Sequence, residues 1–490
     1  MESAISGTNL PHIFEYDDLR DWIDLADRLG ELRRVAGANC EEEIGMAAEI
    51  VSHDENAPAV LFDEIPGSPS GFRVLTNIFG GKRMRLTLGF PEHLTKAELS
   101  EAYFDSCVNK LEPISSEKVT DGPVLENVLT GDDIDLDLFP APKWHEQDGG
   151  RYIGTGCFNV SRHPETGWIN LGTYRIMVRD KKTVAYNAAP GKHGRLHHEL
   201  WAAKNKPMPV AMVVGGDPLM FMMGGTEHPA GVSEYDVVGG LRGRAVKVVE
   251  GPTTGLPIPA NAEIVIEGFV HPSSVVSEGP FGDWTGTYTE SGRQRPLVEV
   301  TSICHRNSPV LLGMPPQMPP DEYSRYNAVL RSAMMKKNLT DAGVPDVSSV
   351  WCHEVGGARM LVGVSIKQRY PGHSKQAGHA AASCLLGAYA CKWFVVVDDD
   401  IDVSNLDELL WAFLFLADPV EDIDFFKGGW TSPADPLLTA ENRAVGDLRN
   451  NRAIVDACRP FHMRKSFLPI NKPSAEQRAR AREKYSWLLD

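Results

Sequence analysis

Four short stretches carry side chains of the kinds that hold metals or move protons, and each sits at a glycine-marked turn or strand end. Asn170-Leu171-Gly172-Thr173-Tyr174-Arg175 sets an amide and a guanidinium on one strand-like run. Positions five apart on a regular strand face opposite sides. For Asn170 and Arg175 to share a pocket, the run needs a bulge near Gly172 or a strand that starts after Asn170. Pro190-Gly191-Lys192-His193 presents a histidine on a turn just before a helical stretch ending at Trp201. Gly231-Val232-Ser233-Glu234-Tyr235 delivers a carboxylate to a helix start, where an N-cap serine followed by an acid is the simpler reading of the stretch taken alone. Glu278-Gly279-Pro280-Phe281-Gly282-Asp283 aims two carboxylates from one tight loop. Paired acids in a poorly solvated site push one carboxyl pKa up and make a proton donor.

Other patterns of the same kind are weaker. The adjacent histidines of His197-His198-Glu199 diverge on a helix and lack the i, i+4 spacing of a zinc helix. Asp133, Asp135 and Asp137 imitate the start of a calcium loop, but Leu138 stands where the loop needs glycine and Trp144 where it needs glutamate. Asp398-Asp399-Asp400 follows an apolar strand, as metal-binding acids of phosphoryl-transfer enzymes do. No phosphate-cradling Gly-rich Lys-Ser/Thr loop accompanies it. The 8 cysteines are scattered without a C-x-x-C pair, which excludes a zinc ribbon or a disulfide scaffold and fits a reducing compartment.

These residues need elements to hold them. Asp18–Leu29 puts Leu19, Trp22, Ile23, Ala26 and Leu29 on one helical face between aspartates and Gly30. Strand-like pieces at 59–62 and 72–76 and helical patterns at 42–51 and 95–108 complete a small α/β domain over residues 1–115. Residues 116–312 turn to short β-rich runs punctuated by Gly and Pro (169–178, 209–215, 263–270, 297–303), which reads as a barrel or two-layer β domain. The Pro-rich stretch 313–320 and a helix near 323–337 form a connection over residues 313–340. Residues 341–490 alternate buried strands (360–366, 393–397) with the apolar helix Leu406–Leu416 and end in a charged helical tail, an α/β domain.

With 490 residues, 42% of them apolar, the chain can bury several cores. Its net charge of −17 argues against a nucleic-acid partner. The start Met1-Glu2-Ser3 lacks the basic and apolar stretches of a signal peptide, and no run approaches the roughly 18 apolar residues of a membrane span, so a cytoplasmic location without membrane attachment is expected.

In their order and separations, the 170–175, 231–235 and 278–283 motifs resemble those of the UbiD-like decarboxylases. The likeness extends to Leu241-Arg242-Gly243, Pro259 to Gly268, Tyr370-Pro371-Gly372-His373-Ser374-Lys375 and Val397 to Asp402. It implies an α+β multidomain fold with a central split β-barrel of flavin-reductase type, flanked by the N-terminal and C-terminal α/β domains. It also implies reversible, non-oxidative decarboxylation of an unsaturated, aromatic (phenolic or heteroaromatic) acid, through a covalent adduct with prenylated FMN. On the same basis Asn170, His193 and Glu234 would hold a divalent metal, Mn2+ or Mg2+. Thr173, Arg175, Lys192 and Lys375 would join them around the cofactor, and a K+ ion would sit near Glu234 and the 223–226 backbone. Arg175, Glu278 and Asp283 match the catalytic network, with Glu278 as proton donor and Asp283 shorter than the glutamate of some members. Trp284, Tyr323 and Tyr326 would wall the substrate pocket. A flavin prenyltransferase would supply the cofactor, and the C-terminal domain would form a homodimer or higher even assembly. Readings from other classes are a redox flavoenzyme of flavin-reductase type and a metal-dependent hydrolase using Asp398 to Asp400.

Overall fold

The computed structural model describes residues 12–290, 292–464 and 466–488. The Met1-Glu2-Ser3 start read above lies outside them. The architecture is α+β and multidomain. The first helix, Leu19–Arg28, is capped by the Asp18 carboxylate, which accepts from the amides of Arg20 and Asp21, and it buries Leu19, Trp22, Ile23 and Ala26. Leu29, expected on the same face, is exposed. The strand Leu32–Ala36, not anticipated, pairs in parallel with Ala59–Asp63, and Arg73–Thr76 completes the hairpin. A fourth strand, Val310–Leu312, pairs with Arg73–Thr76. The chain thus leaves the central sheet after His305 and rejoins the first sheet at 310–312, at the end of the stretch read as the β domain. The pull is hydrophobic: Val310, Leu311 and Leu312 are fully buried.

The central sheet has nine strands. Its longest hairpin, Ile264–Glu278 with Arg293–His305, carries Glu278 at the end of one strand. The expected continuous run 169–178 is two strands. Ile169–Gly172 pairs with Cys157–Arg162 at one end of the sheet, and Arg175–Asp180 pairs with Tyr152–Gly154 and Thr183–Asn187 at the other. Only Thr173 and Tyr174 join them. From Gly172 to Arg175 the extended chain reaches only about 10 Å, so the sheet must curl until its two ends almost meet. The strand path nevertheless stays open. Asn159, fully buried, fastens this seam by donating from Nδ2 to the Gly172 and Tyr174 carbonyls at 3.0 and 2.9 Å. The packing leaves no room for side chains at Gly172 or Gly194, where a Cβ would stand 2.2 and 2.4 Å from the Tyr174 ring.

The C-terminal sheet runs Val347–Cys352, Leu361–Ile366, Trp393–Asp398, Arg449–Asp456 and Ile423–Trp430 in space. Arg449–Asp456, placed by its polar sequence in a charged tail, is an interior strand. Arg452 is buried there because its guanidinium donates to the Ala382, Ala388 and Trp430 carbonyls. The helix Leu406–Leu416 forms as expected and leaves Leu414 and Phe415 exposed. Among the described residues no helix is long and apolar enough to cross a membrane.

Glu263 holds the N-terminal and central sheets together. Its fully buried carboxylate accepts from Arg20 in a bidentate pair at 2.8 and 2.9 Å, from Arg306 at 3.2 Å and from the Val310 amide at 3.1 Å. Glu263→Ala strands two guanidinium groups in partly buried positions. Because Arg20 is partly exposed, the loss of stability should fall near the low end of the 3–5 kcal/mol cost of breaking a buried pair, about 3 kcal/mol, read by denaturant unfolding.

Candidate active site

A cavity of about 870 Å³ opens where the seam of the central sheet faces the C-terminal unit. Arg175, Trp284 and Tyr323 line it, together with Thr173, Lys192 and Asp283. Tyr326 does not; it is fully buried behind Tyr323, packed on Phe79 and Phe221. Tyr326 stands one turn further along the same helix face, and of that helix only Tyr323, in the first turn, lines the cavity.

At the wall of this cavity Arg175 stands between two carboxylates. Its Nε and Nη2 donate to Glu278 at 2.8 and 3.0 Å, and its Nη1 donates to Asp283 at 3.0 Å. The guanidinium lies 4.7 Å from the Phe281 ring, so the loop between the two acids covers the cation it binds. The Tyr152 hydroxyl adds a 2.8 Å hydrogen bond to Glu278. The loop is anchored from behind, where the Gly282 amide donates to Asp148, itself 2.9 Å from His145 Nδ1. Tyr152, Asp148 and His145 belong to this network by proximity in space, and nothing in their local sequence marks them.

The electrostatics reverse one expectation. Two acids on one loop should raise a carboxyl pKa, and burial does push Glu278 up. Arg175 overrides it, helped by Tyr152 and Arg295, and the net direction is downward. Glu278 is thus ionised at rest. Its pairing stabilises the fold fully above the ordinary carboxylate range and is lost as pH falls through the lowered value.

The second group sits in an adjoining cavity of about 160 Å³ that shares Thr173, Tyr174, Lys192, Gly225 and Tyr389 with the first. Asn170, His193 and Glu234, from a strand end and two helix starts, all line it, so the N-cap reading of Ser233 gives way: the Ser233 side chain makes no capping bond. His193 Nδ1 is 3.2 Å from Asn170 Oδ1. Glu234 takes one amide, that of Leu171, at 2.7 Å, and burial pushes its carboxyl up to about 8. Burial and then Lys192 lower His193, which favours the neutral imidazole. The buried Asn170 Nδ2 has no partner. An amide, a neutral imidazole and an under-solvated carboxylate around one small cavity are donors suited to a hard divalent cation such as Mn2+ or Mg2+. Gly224, Gly225 and Thr226 border the same space. Between the two cavities Glu227 is held by Arg331 at 2.7 Å, Arg359 at 2.8 Å and Lys192 at 3.5 Å, a cluster with excess positive charge that sequence reading missed.

The remaining expected residues lie elsewhere. Lys375 lines neither cavity; on the outer part of the helix His373–Ser383 its ammonium is 3.0 Å from Asp424. Asp398 is occupied by Gln368 and the Arg459 backbone at 2.7 and 2.8 Å, and Asp400 by the Arg459 guanidinium at 2.6 Å. Asp135 and Asp132 pair with Lys181 and Lys182. Among the described residues no three His, Cys, Asp or Glu side chains gather as a metal cluster.

Family models match the chain in three consecutive parts: the N-terminal domain of 3-octaprenyl-4-hydroxybenzoate carboxy-lyase over residues 23–103, its Rift-related domain over 117–319 and its C-terminal domain over 326–457. A pyrrole-2-carboxylic acid decarboxylase of Pseudomonas aeruginosa is 33% identical over 458 residues, covering 90% of this chain and 91% of that protein. The closed form of the vanillic acid decarboxylase of Sedimentibacter hydroxybenzoicus superposes with a TM-score of 0.84 at 28% identity, covering 97% and 99% of the two chains. The UbiD-class enzyme HmfF of Pelotomaculum thermopropionicum, solved with FMN, gives 0.81 at 25% identity, covering 94% and 98%.

If Arg175 is what keeps Glu278 ionised, Arg175→Met leaves burial opposed only by Tyr152 and Arg295. The Glu278 carboxyl should then stay protonated at neutral pH, seen as an infrared carboxylic-acid band that disappears in Arg175→Met/Glu278→Gln. Absence of the band would mean that Tyr152 and Arg295 suffice.

Proposed function

The chain is a carboxy-lyase of the UbiD family, and from that premise we propose that it removes CO2 from an aromatic carboxylic acid with a prenylated flavin mononucleotide bound through a divalent metal. The observation that carries this reading is Arg175 clamped between Glu278 and Asp283 in a cavity that opens onto the Asn170, His193 and Glu234 donors. At about 870 Å³ the cavity is near the top of the ~300–1,000 Å³ range of small-molecule sites, with room for a flavin and a ring acid together. The curled central sheet supports a split barrel of flavin-reductase type as the cofactor's scaffold.

Asn170, His193 and Glu234 would hold Mn2+ or Mg2+, with Thr173 and Lys192 on the side of the cofactor, and a K+ ion would sit near Glu234 and the 223–226 backbone. When bound, the prenylated flavin supplies the electron sink for the broken carbon–carboxylate bond, which no side chain offers. The chain's own residues supply the proton. Glu278 delivers to the ring carbon the proton that takes the place of the departing CO2. Glu278 must first gain that proton. A substrate carboxylate arriving beside Arg175 competes for the guanidinium, weakens its hold on Glu278 and raises the Glu278 pKa toward the working range. Asp283, on the other side of Arg175, limits how far that competition runs. Phenolic and heteroaromatic acids fit the aromatic walls Trp284, Tyr323 and Tyr389. A redox flavoenzyme would also use the cavity, but would consume NAD(P)H. The hydrolase reading loses its acids to Arg459. The exposed Leu414 and Phe415 are the proposed seat of a homodimer or higher even assembly.

Protein co-produced with a flavin prenyltransferase should carry the prenylated cofactor by mass and absorbance, and should release CO2 from aromatic acids without a redox partner. In Glu278→Gln turnover should fall at least ~100-fold, with flavin and metal content unchanged. Deuterium exchange at the product carbon should fall with it. Near-normal turnover in Glu278→Gln alongside a dead Asp283→Asn would assign the proton to Asp283 instead. In His193→Ala or Glu234→Ala, metal and flavin should be lost together from a folded chain; full flavin occupancy in metal-free Glu234→Ala would remove the metal assignment. Light scattering at micromolar concentration should give a multiple of the chain mass, and a monomer would remove the assembly.

A further inference from the structure

One guanidinium at the cavity wall is used by the chemistry above only to help hold Glu278 ionised. Arg295 lies on the strand Arg293–His305, opposite Val276 and two residues along from Glu278 on the paired strand. Its Nε is buried without a hydrogen-bond partner, and among the described residues no side chain or carbonyl accepts from the group. The nearest carboxylate oxygen, Glu278 Oε2, is 3.6 Å from Nε. That distance is beyond a hydrogen bond, and the same carboxylate is already taken by Arg175 and Tyr152. Burial drives the Arg295 pKa down to about 10 despite Glu278, so the site bears a charge that the protein itself leaves incompletely compensated. A half-buried cation that opens onto a cavity without a hydrogen-bonded acceptor of its own is placed to take one from a ligand.

The reacting carboxylate is a poor candidate for that ligand. It leaves as neutral CO2, so a cation that gripped it tightly would stabilise the ground state more than the transition state and slow the step. An anionic group that stays on the ring carries no such penalty. The wall around Arg295 supports an anion: Arg293 and Arg443 line the same end of the cavity and share the partly exposed Glu290, at 3.3 and 2.7 Å. Lys192 and Arg359 belong to the other end, beside the Asn170, His193 and Glu234 donors.

Resting on the decarboxylase reading, we propose that Arg295 is a specificity-determining residue that receives a second, non-reacting carboxylate on the substrate's ring, so that the substrate class is aromatic dicarboxylic acids. Arg295 then selects by a charge-assisted, bidentate contact, while Arg175 and Glu278 act on the carboxylate that is lost.

The test uses the flavin-loaded enzyme with matched pairs: benzoate against isophthalate and terephthalate, and pyrrole-2-carboxylate against pyrrole-2,5-dicarboxylate. Binding is read by calorimetry and CO2 release in competition. The diacids should bind at least ~10-fold tighter than their monoacids, the low end of what a hydrogen bond to a charged group contributes. That preference should vanish in Arg295→Gln and return in part in Arg295→Lys, with the cost appearing in KM rather than kcat. Equal binding of diacids and monoacids by the unaltered enzyme overturns the proposal. So does a loss of kcat in Arg295→Gln that is the same for both members of a pair, because Arg295 would then act through Glu278. Binding is measured apart from turnover, so a protein that selects diacids but releases CO2 from none of these acids refutes the decarboxylase reading and leaves the role of Arg295 standing.

Discussion

Thr173 and Tyr174 are the only residues between two strands that lie near opposite ends of the central sheet, and the site depends on that short link. A two-residue span forces the sheet to curl, and the curl brings the lip bearing Asn170 against the lip bearing Arg175. Asn159 closes the gap from inside by satisfying the carbonyls on both sides of it, which a buried seam requires because an unpaired carbonyl there would cost as much as a lost hydrogen bond. Gly172 and Gly194 are small for the same reason: the Tyr174 ring fills the corner, and its hydroxyl accepts from the Gly194 amide at the start of the His193 helix. One packed ring thus connects the amide, the imidazole and the guanidinium.

The charge distribution follows from that geometry. The chain is strongly acidic as a whole, yet the main cavity is lined by Arg175, Lys192, Arg293, Arg295, Arg359 and Arg443 against Asp283 and Glu290. A low-dielectric, concave wall focuses the field of those few cations, so an anionic ligand meets a local attraction opposite in sign to the global field. The acids in and around the cavity are each matched to a guanidinium. Glu227 is drawn well below the usual carboxylate range because Arg331, Arg359 and Lys192 outweigh its burial, and Glu278 is drawn down by Arg175. Glu234 has no such cation and is pushed the other way. This difference separates a carboxylate kept ionised by the fold from one whose missing partner a metal would supply.

The sequence by itself determined the pieces whose signals are local. Helix starts were legible because capping acts within a few residues, as at Asp18, and the buried strands were legible from runs of apolar residues such as Phe394 to Val397. The motif residues Asn170, Arg175, His193, Glu234, Glu278 and Asp283 were also legible, since each stands in a short stretch that carries its own turn chemistry. Tertiary structure alone decided what those residues do to one another. Whether Asn170 and Arg175 could meet depended on strands that pair at opposite ends of a sheet, and the direction of the Glu278 shift depended on Arg175 arriving between two acids that are neighbours in the chain. Tyr152, Glu227, Arg295 and Arg359 entered the site, and Lys375 and Tyr326 left it, because side-chain position is set by packing between elements distant in sequence. Arg449–Asp456 reads as a polar tail for the same reason: Arg452 is tolerable inside a sheet only because three carbonyls from elsewhere in the fold receive it, and no local pattern records them.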